Sequence, residues 1–519
     1  MGSDLGLRTP LFLLMVVVFL CAVVGESEGR DSNQPGASDY SLKPIEAVDH
    51  VVTERLDVEA VRRADERRRR RGGPYRFAVP RKVLITSWTD GTWEDINDEV
   101  RLWRLRVTAP GAMSINLEFG RYYMPPGGSM LIYSTDDTCR LGLFTDADNK
   151  KHGRLWTPVI HADDIILEVR IPASQVLRLE LELISINHGY RSFMGVFKGD
   201  KDSGDSGTCN VNVVCPEGDD WHDQIRSVAV YSFGGIYQCT GVLANNTAED
   251  ETPYFLTAWH CFDPDDNGVI DNPEESAASM IIYWNYQAWG CWDEYYSDGQ
   301  AQFGAVFRAA YKPSDFALVE LDDKPSMAFN VYYSGWDRSD TAPASAVAIH
   351  HPSGDVKKIS IEDDPLSVTS YLGEYSPGDG THLRVADWDI GTTEPGSSGS
   401  PVFNNNKYLA GLLHGGRAAC DNDEPDWYGR FQRSWTGGGT PSTRLSDWLD
   451  PNNISGMSLE GRNPGMNLDD LKFFGLQWLR NSCNDFAGDE TDWCFGTDFT
   501  RDHRVDLEDF VEFAARWLE

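Results

Sequence analysis

The sequence predicts an all-β protein that ends in a small helical module. Between about residues 76 and 456, short apolar runs alternate with clusters of Gly, Pro, Asn and Asp, which is typical of many short strands joined by turns. Aromatic residues make up 12% of the chain and include 17 Trp, which indicates large packed cores rather than disorder. Helical periodicity becomes clear only after about residue 464.

The N-terminus has the features of a signal peptide, predicted over residues 1–25. Arg8 precedes the apolar run 10–24, and small and acidic residues follow it. The run is shorter than a membrane span, which disfavours a retained anchor, and no other segment predicts a span. We expect a secreted protein in which nine of the ten cysteines, all except Cys21, are disulfide candidates. The net charge of −35 excludes general affinity for nucleic acid.

Residues 26–198 are expected to form a leader and a β-rich pro-domain. The polar stretch 26–75 ends in the arginine run 67–71 and predicts a flexible leader, in which the run is a solvated charge block or, alternatively, a processing site. From 76 to 195 the apolar runs predict a β-sandwich, in which Cys139 has no evident partner. A pro-domain that assists folding or blocks a cleft fits this position. A ligand-binding β-sandwich is the alternative.

The stretch 394–401 contains two glycines and three serines between two prolines, a composition that favours a tight turn. Such a turn can expose the hydroxyl of Ser398 while the backbone N–H groups of Gly396 and Ser398 point the same way. Converging amides beside a nucleophile stabilise the oxyanion of acyl transfer. His260 follows an apolar strand end, and Asp315 enters a β-type run. His260, Asp315 and Ser398 therefore follow the chain order of a chymotrypsin-type triad.

Many collinear motifs over about half of the chain resemble the secreted bacterial lysyl endopeptidases of the trypsin-like clan. The matching stretches are residues 209–218, 254–261, 283–286, 334–338, 348–352, 393–401, 413–416, 435–439 and 444–451. The resemblance implies two antiparallel β-barrels of trypsin-like serine protease type over residues 199–456, with the active site between them. It implies a serine endopeptidase, a hydrolase that needs no cofactor for catalysis.

The resemblance also implies how substrate is recognised. Thr392 stands where trypsins place their acidic residue, and Asp426 is implied to meet a lysine side chain instead. The alternative is that Asp426 is one more acid of the acidic loop 421–426. His414, Gly415 and Gly416 are expected to pair with the substrate backbone. Tyr371 is the nearest match to an aromatic residue that the family stacks on the histidine matching His414.

Cysteine pairing and activation are likewise expectations from the resemblance. Six cysteines permit 15 connectivities, and the resemblance implies the pairs Cys209–Cys420, Cys215–Cys291 and Cys239–Cys261. Ser397 occupies the position of the aspartate that pairs with the new N-terminus of trypsin, so activation of this zymogen should require removal of the pro-domain. Lys198 and Lys201 lie where a lysine-specific enzyme could cut itself free.

A loop directly after Cys261 fits the twelve-residue EF-hand pattern. Oxygen ligands fall at Asp263, Asp265, Asn267, Val269, Asp271 and Glu274, with Gly268 at the sixth position. We expect structural Ca²⁺ beside the catalytic histidine, without flanking helices because Pro264 and Pro273 interrupt the region. An acidic surface loop is the alternative.

Residues 457–519 contain an internal repeat of two amphipathic segments and look like a dockerin-type module. A second calcium-type spacing precedes the second segment, at Asp498, Thr500, Asp502, Arg504 and Asp509, and a disulfide between Cys483 and Cys494 could staple the turn between the segments. We expect attachment to a surface or scaffold partner, or alternatively a capping mini-domain.

The function predicted from the sequence is cleavage of protein or peptide substrates after lysine. The alternatives are broader Lys/Arg specificity, and a non-catalytic secreted binding protein on a protease scaffold.

Overall fold

The structure is a computed structural model that describes residues 42–69, 73–194, 206–292, 300–454, 456–465, 468–479, 497 and 504–518. Several sequence predictions lie outside these residues: the signal peptide 1–25, Lys198, Lys201, Cys483, Cys494, Asp498, Thr500 and Asp502.

Two sheets that share one core form the N-terminal domain, the arrangement of a β-sandwich. The first sheet has the order β1 (His50–Val52), β5 (Val100–Thr108), β10 (Asp164–Pro172), β7 (Ser129–Ser134) and β8 (Arg140–Phe144), with β4 (Thr92–Asp95) on β5. The second has the order β3 (Ala78–Thr86), β11 (Glu180–Gly189), β6 (Ser114–Tyr123) and β9 (Leu155–Trp156). Apolar side chains from both sheets fill the space between them, including Leu105, Leu117, Leu167 and Leu183.

The flexible leader predicted for residues 26–75 is wrong for its described part. β1 pairs with β5, and Val58–Arg69 forms helix α1. Asp65 of α1 is buried and forms ion pairs with Arg76 and Arg191, at 2.6 and 3.1 Å. The charged composition of this stretch hides the helix, because its anchor is a buried carboxylate rather than an apolar face.

Two further sheets are formed mainly by the chain that follows this domain. The eight-stranded sheet has the order β17 (Gln300–Phe303), β16 (Ile281–Trp284), β13 (Val228–Phe233), β14 (Tyr237–Ala244), β15 (Tyr254–Ala258), β19 (Phe316–Leu321) and β18 (Ala305–Tyr311), with β2 (Tyr75–Arg76) on β14. The ten-stranded sheet has the order β12 (Val211–Asn212), β22 (Lys358–Glu362), β21 (Ala346–His350), β25 (Pro401–Asn404), β26 (Leu409–Gly416), β27 (Asp426–Arg430), β24 (His382–Val385) and β23 (Ser367–Thr369), while β20 (Trp336–Asp337) pairs with β26 and with β28 (Ser458–Leu459).

The two sheets carry the candidate site residues at neighbouring strand ends. β15 and β19 are antiparallel neighbours, with Ala258 opposite Phe316. His260 follows the end of β15, and Asp315 immediately precedes β19. Ser398 belongs to the second sheet, where its turn leads into β25. The sheets therefore present the triad residues from two sides.

Short helices connect the strands, and two longer ones lie at the C-terminus. The short helices are α2 (His222–Ser227), α3 (Pro273–Ala278), α4 (Phe431–Thr436) and α5 (Ser446–Leu449), and the C-terminal ones are α6 (Leu468–Gln477) and α7 (Leu507–Leu518). Phe474 of α6 and Phe513 of α7 pack together, with ring centroids 5.1 Å apart. No helix in the described ranges is both long and apolar enough to cross a membrane.

Candidate active site

His260 and Asp315 form a hydrogen-bonded pair at the ends of neighbouring strands. Nδ1 of His260 lies 2.8 Å from Oδ2 of Asp315, and the His260 backbone N–H donates to Oδ1 at 3.0 Å. Burial lowers the pKa of His260, but the charge and hydrogen bond of Asp315 outweigh burial and leave the pKa raised. Burial raises the pKa of Asp315, yet its interactions with His260 and His414 outweigh it, so the pKa is lowered. The pair is thus an ionised carboxylate that orients an imidazole able to accept a proton.

The turn that carries Ser398 packs against the strand leading to His260. The Thr240 N–H donates to the Ser398 carbonyl at 2.9 Å, and Thr240 Oγ1 donates to the Gly396 carbonyl at 2.9 Å. A Cβ on Gly399, whose φ is +80°, would lie 2.7 Å from the Ala258 nitrogen. Only glycine permits so close an approach, and this approach brings the turn to the end of β15.

The proposed oxyanion donors are both free to receive a ligand. Within the described part of the chain, neither the Gly396 nor the Ser398 backbone N–H donates to a protein acceptor. Gly396 has a φ of +103°, a conformation that non-glycine residues rarely adopt. The turn therefore leaves the N–H groups of Gly396 and Ser398 available as donors, the type of group from which an oxyanion hole is built.

Asp426, the predicted receptor for lysine, is a buried carboxylate at the start of β27. It is 1% exposed, and its Oδ2 accepts hydrogen bonds from Trp388 Nε1 at 2.9 Å and Thr393 Oγ1 at 2.7 Å. Burial raises its pKa, although these hydrogen bonds oppose the shift. A Cβ on Gly416 would lie 2.1 Å from Oδ1, so glycine at this position leaves room for the carboxylate.

β26 continues beyond the point where it pairs with the first residue of β25. Among described strands, its last residues therefore have a partner on one side only. β25 pairs with β26 only as far as Leu412, whereas Gly415 and Gly416 pair with β27. The ring of Tyr371 stacks on His414, with centroids 3.6 Å apart and planes within 6°. His414 in turn faces His260 at 5.5 Å. His414, Gly415, Gly416 and Tyr371 therefore border the site, as the family resemblance implies.

Three disulfides frame the site: Cys209–Cys420, Cys215–Cys291 and Cys239–Cys261. These are the pairs that the family resemblance implies. Cys239–Cys261 ties β14 to the residue after His260. Cys139 is half-buried and forms no disulfide with another described cysteine.

The predicted calcium loop is folded by its own side chains. Asp263 accepts from the backbone N–H groups of Asn267 and Gly268 at 3.0 and 2.8 Å, and Asn267 Nδ2 donates to Asp265 and Asp271. Pro273 starts helix α3 rather than interrupting it, because proline fits the first helical position. Among described residues, the only cluster of three His, Cys, Asp or Glu ligand atoms within 4.8 Å is His260, Asp315 and His414. The loop acids therefore do not form a cluster of three within that distance, and calcium binding stays a prediction.

In the second calcium-type spacing, Arg504 is exposed, and Asp509 is buried with its Oδ2 accepting from the Asp506 N–H at 2.8 Å. The remaining ligands lie outside the described residues, so this loop also stays a prediction.

Sequence reasoning missed three residues of the site. Thr393 directly precedes the 394–401 turn and could have been singled out from that position. Trp388 and His382 carry no local signal, because they reach the site from the connection before the turn and from β24.

The sequence of this chain is similar to that of known proteins. A family model described as lysyl endopeptidase, C-terminal domain, matches residues 203–429, and one described as lysyl endopeptidase N-terminal domain matches residues 51–189. A lysyl endopeptidase from Pseudomonas aeruginosa is 28% identical over 381 residues, covering 67% of this chain and 76% of the relative.

Solved protease structures are also similar to part of the chain. The active form of the Rv3671c protease from M. tuberculosis is 17% identical, covers 40% of this chain and 76% of its own, and has a TM-score of 0.24. The HtrA-type protease AlgW with tripeptide is 16% identical. The match covers 40% of this chain and 56% of AlgW, with a TM-score of 0.26. The MamO protease domain from Magnetospirillum magneticum is 13% identical. The match covers 41% of this chain and 95% of the MamO domain, with a TM-score of 0.27. Scores this low carry no argument.

The two domain matches and the relative support assignment of the chain to the lysyl endopeptidase family. The chain is a serine endopeptidase, and its substrates are proteins or peptides.

Proposed function

We propose that this serine endopeptidase hydrolyses the bond on the carboxyl side of lysine through Ser398, His260 and Asp315. Ser398 Oγ attacks the scissile carbonyl while His260 Nε2 takes its proton, and the N–H groups of Gly396 and Ser398 stabilise the oxyanion. His260 then donates the proton to the leaving amine, which leaves an acyl-enzyme that water hydrolyses by the same route. Asp315 keeps His260 in the required tautomer throughout.

The buried carboxylate of Asp426 is the observation that carries the lysine specificity. It has hydrogen-bond donors in Trp388, Thr393 and the Ala418 backbone, and no cationic partner among the described residues. A substrate ammonium would supply that partner, whereas an uncharged side chain would leave a buried carboxylate without one. The position of Thr393, directly before the turn of Ser398, connects the receptor to the nucleophile.

Broader Lys/Arg specificity is the second candidate, because Tyr371 lies in a loop that departs from the family's composition. A non-catalytic binding protein is disfavoured by the intact His260–Asp315 pair. Covalent labelling of Ser398 by a fluorophosphonate distinguishes an enzyme from a binding protein.

Digestion of a peptide mixture by the matured protein, with cut sites identified by mass spectrometry, tests the proposed specificity. We expect cuts confined to the carboxyl side of lysine. Cuts after arginine as well would support the broader specificity, and the absence of cuts and of labelling would overturn the enzymatic mechanism.

Replacing Asp426 by Asn should lower kcat/KM for lysine substrates by a factor of about 150 to 5,000, because removing one partner of a buried ion pair costs about 3–5 kcal/mol. Asp423→Asn is the matched control, since Asp423 is an exposed acid of the same loop. Equal losses in the two variants would contradict Asp426 as the receptor.

Secretion and processing complete the proposal. The three disulfides favour an oxidising, extracellular location, with a signal peptide at 1–25 and a pro-domain removed near Lys198 or Lys201. The protease region is proposed to form two β-barrels of trypsin-like type, and residues 457–519 a dockerin-like module that binds a surface or scaffold.

We also propose that the loop 263–274 binds structural Ca²⁺ through the residues named above. Titration calorimetry should show binding that Asp265→Ala abolishes, because this change removes a carboxylate ligand. Absence of heat in the unmodified protein would dismiss the site, and Glu374→Ala, at an exposed acid of another loop, serves as the control.

A further inference from the structure

A third histidine lies behind the pair formed by His260 and His414. His382, at the start of β24, is 1% exposed, and its Nε2 lies 3.0 Å from Nδ1 of His414. The His382 and His414 rings are 5.2 Å apart, and Tyr371 lies 5.3 Å from His382. The catalytic scheme above does not use His382.

The hydrogen bonds around His382 define which of its nitrogens carries the proton. Thr381 Oγ1 donates to the Asp379 carboxylate at 2.6 Å, and Asp379 also accepts the Thr381 backbone N–H at 3.0 Å. The hydroxyl has one hydrogen, so it can only accept from His382 Nδ1, which lies 2.7 Å away. His382 therefore carries its proton on Nδ1.

The same logic extends to His414. Neutral His382 with its proton on Nδ1 has a bare Nε2, which accepts a hydrogen from Nδ1 of His414. Burial keeps both rings neutral, since it lowers the pKa of His382 to about 4 and that of His414 to about 3. His414 therefore donates its single proton to His382.

The His414 proton has one other acceptor close by. Oδ2 of Asp315 lies 3.9 Å from the same Nδ1 of His414, and this oxygen is the one that pairs with His260. If His414 turned toward Asp315, the carboxylate would be shared between two imidazoles, and His260 would lose part of the charge that stabilises its protonated form.

We propose that His382 is a positioning residue that holds the His414 proton away from Asp315, so that Asp315 serves His260 alone. The inference rests on the proposed triad. His382 has no contact with substrate in this proposal. It acts only through the orientation of His414.

The kinetic test compares His382→Leu with His382→Gln in enzyme produced from the full chain. The Leu variant should lower kcat about tenfold while KM stays unchanged, because Asp315 stabilises charge that develops only during reaction. The Gln variant should recover most of the activity, since its amide oxygen can accept the His414 proton. A Leu variant with normal kcat, or a Gln variant as slow as the Leu variant, would overturn the proposal.

A spectroscopic test does not depend on activity. Nitrogen NMR of histidine-labelled protein carrying Ser398→Ala should show both His382 and His414 protonated at Nδ1 and bare at Nε2. Thr381→Val, which removes the acceptor for His382 without removing a ring, should abolish the single tautomer of His382. Protonation of His382 at Nε2 in the parent protein would overturn the proposal. Failure of fluorophosphonate to label wild-type Ser398 would instead count against the proposed triad.

Discussion

At the scale of the residue, Asp315 shows how the backbone supports catalysis. Its φ of +49° lies in the left-handed region, which is unfavourable for residues other than glycine. Its carbonyl accepts the Trp259 N–H at 3.0 Å, and its own N–H donates to the Lys312 carbonyl at 3.1 Å. Gly429 lies so close that a Cβ there would be 1.9 Å from the Ser314 carbonyl oxygen. The surroundings therefore fix a strained turn that aims both carboxylate oxygens at His260.

Replacing Asp315 by Asn should lower kcat about 10⁴-fold at neutral pH, because an amide can hold His260 in the tautomer that cannot accept the Ser398 proton. Steady-state hydrolysis of a lysyl peptide measures this. Asp323→Asn is the control, because Asp323 is an exposed residue shortly after β19 whose carboxylate forms an ion pair with Lys150. A loss of less than tenfold would contradict the role of Asp315.

At the scale of the element, the turn 394–401 is tied to its neighbours by the buried hydroxyl of Ser397 and the half-buried carboxylate of Glu394. Ser397 Oγ lies 2.8 Å from His350 Nδ1 and accepts the Glu394 N–H at 3.2 Å. The Glu394 carboxylate accepts from the Gly207 N–H, Asn210 Nδ2 and Ser353 Oγ at 2.7, 2.8 and 2.7 Å. The Glu394 carboxylate thus joins residues 207–210 to the turn that carries Ser398.

Removing this carboxylate with Glu394→Ala should lower the free energy of unfolding by about 1–3 kcal/mol, since three donors lose a charged acceptor. Chemical denaturation followed by tryptophan fluorescence measures the change. Glu374→Ala changes an exposed acid of a nearby loop and should have little effect. Equal stability of the two variants would show that the Glu394 contacts are not stabilising.

Motifs within one short stretch were predictable from sequence, and contacts between distant stretches were not. β5, β7 and β10 were predictable from apolar residues that alternate or cluster, and His260 and Asp315 from the strand pattern beside them. The proposal of Asp426 as the lysine receptor came from family resemblance. Trp388 and His382 could not be found, because their roles arise only when the pairing of β24 with β27 brings them to the site. Helix α1 was missed because burial of Asp65 depends on Arg76 and Arg191.

At the scale of the whole molecule, the N-terminal domain contacts the sheet that carries His260. β2 pairs with β14, with Arg76 opposite Tyr237. Asn116 Nδ2 donates to the Gly235 carbonyl at 2.9 Å, and Arg154 bridges to Glu275 of α3 at 2.8 Å. Arg68 of α1 donates to the Pro264 carbonyl at 2.6 Å, four residues after His260. These contacts support the proposal that the domain assists folding of the catalytic sheet.

The buried histidines should make the whole molecule less stable in mild acid. Burial lowers the pKa of His350 to about 3 and that of His382 to about 4, whereas unfolded histidine titrates near 6.5. The unfolded chain therefore binds protons below pH 6.5 that the native protein does not bind. The stabilisation is complete above pH 6.5 and falls by about 2 kcal/mol per histidine at pH 5.

His260 acts in the opposite direction, because its folded pKa is raised and its contribution is present below the unfolded pKa and lost as the pH rises. The buried neutral rings of His350, His382 and His414 together outweigh one favoured cation, so the midpoint of urea unfolding should fall from pH 7.5 to pH 5. Protein with Ser398→Ala prevents self-digestion during the measurement, and His350→Gln in that background should reduce the dependence on pH. A midpoint that is constant or higher at pH 5 would mean that the buried rings accept protons in the native state, which their burial opposes.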